Sequence, residues 1–285
     1  MNKFYKYHGL GNDYLVIDPA HAELALSVAA VRLLCDRHYG IGSDGILYGP
    51  FWGPDNIPAV KIFNPDGSEA EKSGNGVRIF SRYLCEAGYV TGREFSLRTA
   101  GGVVAVEVLD EKAWLLRVDM GTATFASDHI PVAGEKREVV AEKLAVGEEM
   151  LTVTCVSLGN PHCVVSLPVV SPAIARRLGP QIERHPAFPN RINVQFMEVL
   201  DRETIQIEIW ERGAGYTLAS GSSSCAAAAA ARRLGLVGDR VEVRMPGGNI
   251  QVQFTAAGRI LMTGPVAKVC EGEIAADLVR AIKQA

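Results

Sequence analysis

The sequence lacks any long apolar run. A helix that crosses a membrane needs about 20 apolar residues, and the longest stretch here, residues 225–231, is short and rich in alanine. The first eight residues, which begin Met1-Asn2-Lys3-Phe4, also lack the apolar segment typical of a secretory signal peptide. We therefore expect a cytoplasmic protein that has no membrane contact.

An excess of basic charge is also missing. Lys and Arg number 29 against 32 Asp and Glu, which gives a net charge of −3 at pH 7. A protein that binds nucleic acid usually carries a broad basic surface, so this balance disfavours nucleic acid as a partner. A small anionic substrate stays compatible with it, because local fields matter more than total charge.

Motifs for metals, nucleotides and structural disulfides are absent as well. The six cysteines form no CxxC pair and no zinc spacing. The chain contains no HExxH, no P-loop and no strand that leads into GxGxxG. We expect no metal and no cofactor. In a reducing compartment most of the cysteines should be small buried side chains.

An internal duplication is the strongest positive feature. Five short matches recur in the same order, each displaced by 146 to 148 residues. They predict two homologous halves, residues 1–120 and 121–270, with a tail at 271–285 that packs back on the first half. The matches are Leu10-Gly11-Asn12 with Leu158-Gly159-Asn160, Phe63-Asn64 with Trp210-Glu211, Ser73-Gly74 with Ser220-Gly221, Gly88-Tyr89-Val90 with Gly235-Leu236-Val237, and Gly101-Gly102 with Gly247-Gly248.

Each half predicts the same local order of strand, turn, helix and hairpin. In the first half a strand at 60–63 precedes a helix that begins after Ser73 and stops at Gly88. In the second, a strand at 204–210 precedes a helix at 222–234 whose alanine-rich centre predicts burial on every side. The predicted fold is α+β, with two pseudo-symmetric domains that each wrap a curved antiparallel sheet or barrel around a central helix.

The two helix starts suggest a binding site. Helix N-termini leave backbone N–H groups unpaired and carry partial positive charge, and glycine lets an anion approach closely. If the two starts face each other across the cleft between the halves, they would grip one carboxylate. Ser73 and Ser220 would then flank the carbon that carries it, which is the arrangement that proton transfer on two faces requires.

Polar residues in core-like segments favour a ligand at the same place. Any single asparagine is equally well explained as a turn residue, His162 as a satisfied core histidine, and the Glu211-Arg212 pair as a solvated strand end. Together they are better explained by a ligand, because buried polar groups without partners are costly. The set is Asn12, Asn64, Asn160, His162, Asn193, Glu211 and Arg212.

Along nearly its whole length, the sequence resembles the diaminopimelate epimerase family. Members of this family are amino-acid isomerases that need no pyridoxal phosphate. The resemblance implies the duplicated fold, LL- to meso-diaminopimelate epimerisation in lysine biosynthesis, and a homodimer as one possible assembly. The segments that carry it are Tyr7-His8-Gly9-Leu10-Gly11-Asn12-Asp13, Asn64-Pro65-Asp66-Gly67-Ser68-Glu69, Gly74-Asn75-Gly76-Val77-Arg78, Gly159-Asn160-Pro161-His162-Cys163, Asn193-Val194 and Trp210-Glu211-Arg212-Gly213.

The resemblance also implies roles for individual residues. Five of them, Asn12, Asn64, Asn160, Asn193 and Arg212, would hold the distal amino-acid end of the substrate. The turns at Gly74-Asn75 and Gly221-Ser222 would bind the carboxylate at the reacting centre. His162 and Glu211 would lie beside the catalytic pair, and Glu211 would also contact the substrate.

Four positions depart from the family. Ser73 and Ser220 occupy the places of the two catalytic cysteines, Gly45 replaces a common glutamine, and Tyr216 replaces a common glutamate. A free thiol has a pKa of about 8.5, whereas a hydroxyl is far more basic as an anion and needs a neighbouring base. The sequence offers His162, Glu211 and Glu71 as that base.

Three hypotheses therefore stand. The first is an epimerase in which Ser73 and Ser220 act as an assisted acid/base pair. The second is an isomerase similar in fold to the phenazine-biosynthesis isomerases, with one carboxylate or histidine as base. The third is an amino-acid binding protein without chemistry. Deliberate introduction of the serines is also conceivable, but Gly45 and Tyr216 depart as well, which favours natural divergence.

Overall fold

A computed structural model describes residues 2–284. The chain forms two compact units. The first holds residues up to Val118 together with those from Gly264 onward, and the second holds Asp119–Thr263. In residues 2–284 no helix is long and apolar enough to cross a membrane.

Within the described residues, the first unit contains three helices, eight complete strands and parts of two more. The helices are α1 (Val28–Cys35), α2 (Gly74–Glu86) and α5 (Ala276–Gln284). The strands are β1 (Lys3–Gly9), β2 (Asn12–Ile17), β3 (Ile46–Trp52), β4 (Pro58–Phe63), β5 (Glu69–Ala70), β6 (Glu94–Thr99), β7 (Gly102–Val108), β8 (Leu115–Thr122), whose last residues belong to the second unit, the end of β17 (Arg259–Pro265), and β18 (Ala267–Glu273).

Helix α2 is the buried centre of this unit. Ser73 caps it with extended backbone angles (φ −131°, ψ 121°), and Gly88 closes it in the left-handed region at φ 74°. Every residue from position 74 to 84 is buried, and the helix packs on β1, β2 and β3. The sequence predicted both ends of this helix from these same two residues.

The tail helix α5 belongs to the first unit. Ile274, just before it, and Ile282 within it join a core cluster that also holds Leu34 of α1 and Leu15 of β2. A helix that is apolar on one face gains stability by burying that face, and α1 supplies the matching surface.

The second unit contains two helices and eight complete strands. The helices are α3 (Pro172–Glu183) and α4 (Gly221–Arg233). The strands are β9 (Glu142–Val146), β10 (Glu149–Ser157), β11 (Pro161–Ser166), β12 (Asn193–Val199), β13 (Thr204–Glu211), β14 (Gly215–Thr217), β15 (Arg240–Met245) and β16 (Gly248–Phe254), with the first part of β17 beside them.

Helix α4 is the counterpart of α2. Ser220 caps it with extended backbone angles (φ −147°, ψ 125°), and Gly235 follows it at φ 74°. Residues 225–231 are at most 4% exposed. Because alanine side chains are small, β10, β11, β12 and β16 all lie close to this helix. The predicted burial of its alanine-rich centre is confirmed.

The α+β class is confirmed, and the strand pairing is richer than the sequence predicted. Most pairs are antiparallel, such as β1 with β2 and β15 with β16. Parallel pairs join β2 to β3 and β4 to β6 in the first unit, and β11 to β12 and β13 to β15 in the second. The strand pairing in each unit is therefore mixed, since helical crossovers return the chain in the same direction.

Candidate active site

Ser73 lies between β5 and α2, directly before the first residue of the helix. Its Oγ accepts a hydrogen bond from the Gly76 amide at 3.0 Å, which satisfies one of the open donors at the helix start. The phenolic oxygen of Tyr14 lies 3.2 Å from the same Oγ. Ser73 is half-buried, so its hydroxyl is held by two protein groups while part of the residue stays accessible.

A chain of amides and a guanidinium fixes the first turn of α2. Asn75 donates from Nδ2 to Asn12 Oδ1 at 3.0 Å. Arg78, whose side chain is fully buried, donates to Asn75 Oδ1 at 2.7 Å and to the Gly74 carbonyl at 3.3 Å. The structure thus brings the predicted residues Asn12, Gly74 and Asn75 together at the helix start.

An ion cluster holds Asn12 from the other side. Asp44 accepts from Asn12 Nδ2 at 3.0 Å, and the Arg37 guanidinium bridges Asp44 and Asp13 at 2.8 and 2.7 Å. The Lys6 ammonium adds a contact to Asp13 at 2.9 Å. Burial pushes the pKa of Asp13 upward, but the bonds from Arg37 and Lys6 outweigh it and leave that pKa below its ordinary value. Asp13 is therefore ionised at neutral pH.

Asn64 lies on the turn after β4 and is bonded within that turn. Its amide N–H donates to the Ser68 carbonyl at 2.8 Å, and its Nδ2 donates to Ser68 Oγ at 2.9 Å. This is the behaviour of a turn asparagine. Any role toward a substrate rests on the family resemblance alone.

In the second unit Ser220 caps α4 in the same manner as Ser73 caps α2. Its Oγ accepts from the Ser223 amide at 3.4 Å and lies 3.5 Å from Ser222 Oγ. Ser220 is only 5% exposed. Its hydroxyl is surrounded by hydroxyl and amide groups of the first helical turn.

His162 and Asn160 continue this network. The His162 ring nitrogen Nε2 pairs with Asn160 Oδ1 at 3.0 Å, and Asn160 Nδ2 donates to Ser222 Oγ at 3.4 Å. The pKa of His162 is lowered to about 3, chiefly by burial; Gln195 opposes the shift and the charge of Arg212 adds to it. His162 is neutral at physiological pH and is a weak base.

Asn193 ties two pieces of backbone together. It donates from Nδ2 to the Pro161 carbonyl at 2.9 Å and accepts at Oδ1 from the Arg212 amide at 2.9 Å. The Arg212 guanidinium is exposed and donates to the Asn190 carbonyl at 3.3 Å. Glu211 is half-buried at the end of β13. Asn193 therefore positions the predicted pair Glu211-Arg212 through the main chain.

The same contact is built twice. In the first unit Asn12, at the start of β2, bonds Asn75 in the first turn of α2. In the second, Asn160, just before β11, bonds Ser222 in the first turn of α4. Asn12 corresponds to Asn160 in the duplication, and Asn75 corresponds to Ser222. In each unit, therefore, an asparagine at or next to the start of a neighbouring strand contacts the first turn of a serine-capped helix.

Two functional neighbours escaped sequence reasoning. Tyr14 touches Ser73, and a signal existed, because Tyr14 follows Asn12 at the same spacing as His162 follows Asn160. Glu183 in α3 is 3% exposed and bonds the segment that carries Glu211. No local pattern marks Glu183, since a glutamate at the end of a helix normally faces solvent. Glu71, offered as a base, is exposed.

The two remaining departures have local explanations. At Gly45 an added Cβ would lie 2.5 Å from the Phe63 carbonyl oxygen and 2.7 Å from the Tyr14 ring, so no larger residue fits. Tyr216 donates its hydroxyl to Glu208 at 2.6 Å, and the Arg176 guanidinium lies 4.2 Å from its ring centre. Both positions are adapted to their present neighbours.

Comparison with known proteins agrees with the resemblance. The family model described as diaminopimelate epimerase matches residues 4–126 and 154–269. The chain is 53% identical over 276 residues to "Diaminopimelate epimerase 2" of Nostoc sp., covering 97% of this chain and 96% of that protein. It is 37% identical over 284 residues to "Diaminopimelate epimerase" of Moorella thermoacetica, covering 96% and 99%.

Solved structures share the fold at low identity. A probable proline racemase of Agrobacterium radiobacter superposes with a TM-score of 0.73 at 17% identity, covering 97% of this chain and 94% of that one. A phenazine biosynthesis protein of the PhzF family from Bacillus anthracis superposes with a TM-score of 0.66 at 16% identity, covering 96% and 99%. Identities this low establish the fold alone.

Proposed function

The chain belongs to the diaminopimelate epimerase family, and we propose that it inverts an amino-acid α-carbon, interconverting LL- and meso-diaminopimelate. The reaction uses no cofactor and moves the α-proton from one face of the carbon to the other. Two relatives named for this activity match the chain over nearly their whole length, which supports diaminopimelate as the substrate.

One observation carries the proposal: each unit begins its buried central helix with a capping serine. Ser73 and Ser220 hold the same position, with Oγ at 3.0 and 3.4 Å from the amide three residues on. A helix start favours negative charge by its unpaired N–H groups and its dipole. The α-carboxylate of a substrate becomes more negative as the proton leaves, so these starts stabilise the transition state more than the ground state.

In this reaction each serine serves one face of the α-carbon. One serine removes the proton while the other delivers one, and the two exchange roles in the reverse direction. Because a hydroxyl is a weak base, each needs a partner group. The low pKa of His162 disfavours that residue as the partner base and leaves Glu211 and Glu71 as the other bases that the sequence offers.

The roles of the remaining residues are proposals that follow the resemblance. Gly74-Asn75 and Gly221-Ser222 bind the reacting carboxylate, and Glu211 lies beside it. The distal amino-acid end is held by Asn12, Asn64, Asn160, Asn193 and Arg212. The bonds from Asn12 to Asn75 and from Asn160 to Ser222 support the first assignment, because each braces a proposed carboxylate turn.

The decisive test is solvent exchange. Purified protein in deuterium oxide is incubated with LL-diaminopimelate, and deuterium at the α-carbon is followed by mass spectrometry. We expect incorporation together with the meso product, and a loss of more than 100-fold in both Ser73→Ala and Ser220→Ala. A serine variant that retains most of the exchange would contradict the serine mechanism.

Other outcomes separate the alternatives. If Glu211→Gln or His162→Asn abolishes exchange while both serine variants keep it, the protein is an isomerase with a single base. If calorimetry shows diaminopimelate binding and no deuterium enters, the chain is a binding protein. If a panel of other amino acids exchanges and diaminopimelate does not, the substrate assignment is wrong.

A cytoplasmic location is part of the proposal. None of the six cysteines forms a disulfide, and four of them are buried, which suits a reducing compartment. Fractionation of cells that express the protein, with a cytoplasmic and a secreted marker as references, checks the location.

A further inference from the structure

The hydroxyl of Tyr14 lies directly beside Ser73. Tyr14 sits in β2 with 7% of its surface exposed, and its Oη is 3.2 Å from Ser73 Oγ. The same Oγ accepts the Gly76 amide at 3.0 Å. The Gly76 amide uses one lone pair of Ser73 Oγ. The other lone pair and the hydroxyl proton are therefore available to Tyr14 and to a substrate.

Gly45 makes this contact possible. A Cβ added there would come within 2.7 Å of Tyr14 Cε1 and within 3.1 Å of Cδ1. Real Cβ atoms do not approach that closely, so any side chain at position 45 would displace the ring. The Tyr14 backbone is also held by its place in β2, where Tyr14 pairs with Tyr7 of β1. The phenol is therefore fixed toward Ser73.

The duplication gives Tyr14 a counterpart. It follows Asn12 by two residues, as His162 follows Asn160, and the two asparagines make equivalent contacts to the helix starts. In both units this position carries a ring with an ionisable group. Burial lowers the pKa of His162 to about 3, so that ring stays neutral, whereas a phenol ordinarily ionises near pH 10.

We propose that Tyr14 is the proton-storing partner of Ser73. As Ser73 Oγ takes the α-proton, its own hydroxyl proton passes to the Tyr14 phenolate. The electron pair of the broken C–H bond remains on the α-carbon, and both transfers reverse when Ser73 protonates that carbon. The inference rests on the proposed epimerase function and names the base that the Ser73 hydroxyl needs.

Tyr14→Phe tests the relay, because it deletes one oxygen and keeps the ring against Gly45. We expect exchange at the α-carbon to fall at least tenfold with little change in KM. In the native protein the rate should rise as alkaline pH converts the phenol to the phenolate, and this rise should vanish in the variant. Tyr48→Phe is the matched control, since Tyr48 bonds the Leu24 carbonyl in the same unit, and it should exchange normally.

A thiol at the serine position removes the need for a partner. In the Ser73→Cys background the attacking group ionises near 8.5 on its own, so adding Tyr14→Phe should change exchange less than threefold when it is measured at about pH 10, where the thiol is mostly ionised with or without the phenol. An equal loss in both backgrounds would overturn the relay and leave a packing role. Exchange by Tyr14→Phe within twofold of the native rate would also overturn it, while the proposed epimerase function would stand.

A measurement without turnover separates the two proposals. In Ser73→Cys the pKa of the new thiol is read from the pH dependence of iodoacetamide labelling at that peptide by mass spectrometry, with and without Tyr14→Phe. We expect loss of the phenol to raise it by about one unit, as for one lost hydrogen bond to an anion. Equal values would overturn the inference even if the native protein exchanges nothing and the epimerase function itself fails.

Discussion

Glu183 bonds both ends of the segment that carries Glu211 and Arg212. Its Oε2 accepts the Trp210 indole N–H at 2.8 Å, and its Oε1 accepts the Gly213 amide at 3.0 Å. The carboxylate is 3% exposed, so both bonds form away from water. One side chain of α3 therefore sets the position of the segment that carries two proposed substrate-binding residues.

Glu183→Gln should loosen this segment. A carboxylate accepts at both oxygens, whereas an amide offers one acceptor and one donor, so either Trp210 or Gly213 loses its partner. An unsatisfied buried donor costs about 1–3 kcal/mol. We expect that loss in the free energy of unfolding, measured by urea denaturation, and a rise in KM for exchange that exceeds the fall in kcat.

Glu149→Gln is the matched control. Glu149 pairs with Arg177 on the surface, where both side chains are about half exposed. Exposed ion pairs contribute about 0–1 kcal/mol, so stability and KM should stay near native values. Equal losses in the two variants would show that Glu183 has no special role.

Gly179→Ala should disturb the segment that carries Glu211 and Arg212, because Gly179 packs against Trp210. An added Cβ would lie 2.5 Å from Trp210 Cγ and 2.7 Å from Trp210 Cβ. In an open helix this change would stabilise by about 1 kcal/mol, but here the indole must move. We expect a net loss of about 1–3 kcal/mol, seen as a lower urea midpoint and a changed tryptophan fluorescence. Gly238→Ala meets nothing closer than 3.9 Å and should leave both unchanged; a more stable Gly179→Ala would contradict the packing.

His162 should make stability depend on pH below neutrality. Its folded pKa of about 3 lies below the ordinary value of about 6.5, so the unfolded chain binds more protons between these values. The stabilisation is complete above pH 6.5 and is lost as pH falls toward 3, by at most about 1.4 kcal/mol per pH unit. Urea denaturation at pH 7.0, 6.0 and 5.0 measures the slope.

The slope can be assigned to His162 by substitution. His162→Asn removes the titrating ring, so the dependence between pH 5 and 7 should become shallower. His38 is exposed, and His38→Asn should leave the native slope in place. Parallel slopes in the native protein and His162→Asn would show that other groups carry the dependence.

Local signals were sufficient to predict the helices that position the site. Ser73 and Ser220 cap α2 and α4, and Gly88 and Gly235 follow them in the left-handed region. Such ends depend on a few adjacent residues, so they can be predicted from one sequence. The parallel pairs, such as β2 with β3, depend on contacts between distant segments, and alternation within a strand carries no sign of direction.

The site residues show the same contrast between features that local sequence predicts and contacts that only the folded chain forms. Asn12 and Asn75 were both predicted for the site, Asn12 at the distal end of the substrate and Asn75 at its reacting carboxylate, and the structure bonds them to each other. The Tyr14–Ser73 contact joins residues 59 positions apart, and only the alignment of Tyr14 with His162 in the duplication distinguishes this tyrosine from a core aromatic. Asn193 was predicted as a ligand because it is polar in an apolar strand, and its two polar groups bond main chain, a use that only the folded structure reveals.

Substitution of the capping serines should separate their contribution to stability from their contribution to α-proton exchange. Ser73→Ala removes the acceptor of the Gly76 amide and should lower the free energy of unfolding by about 1 kcal/mol, as N-cap losses do. Ser220→Ala should cost less, since its cap bond is 3.4 Å against 3.0 Å for Ser73. Ser27→Ala, which uncaps α1 at a bond of 3.1 Å, should match Ser73→Ala in urea denaturation and keep native exchange. If Ser27→Ala lost exchange in proportion to stability, the effect of the other two substitutions would reflect folding. If it keeps exchange while they lose more than 100-fold, the hydroxyls act on the substrate.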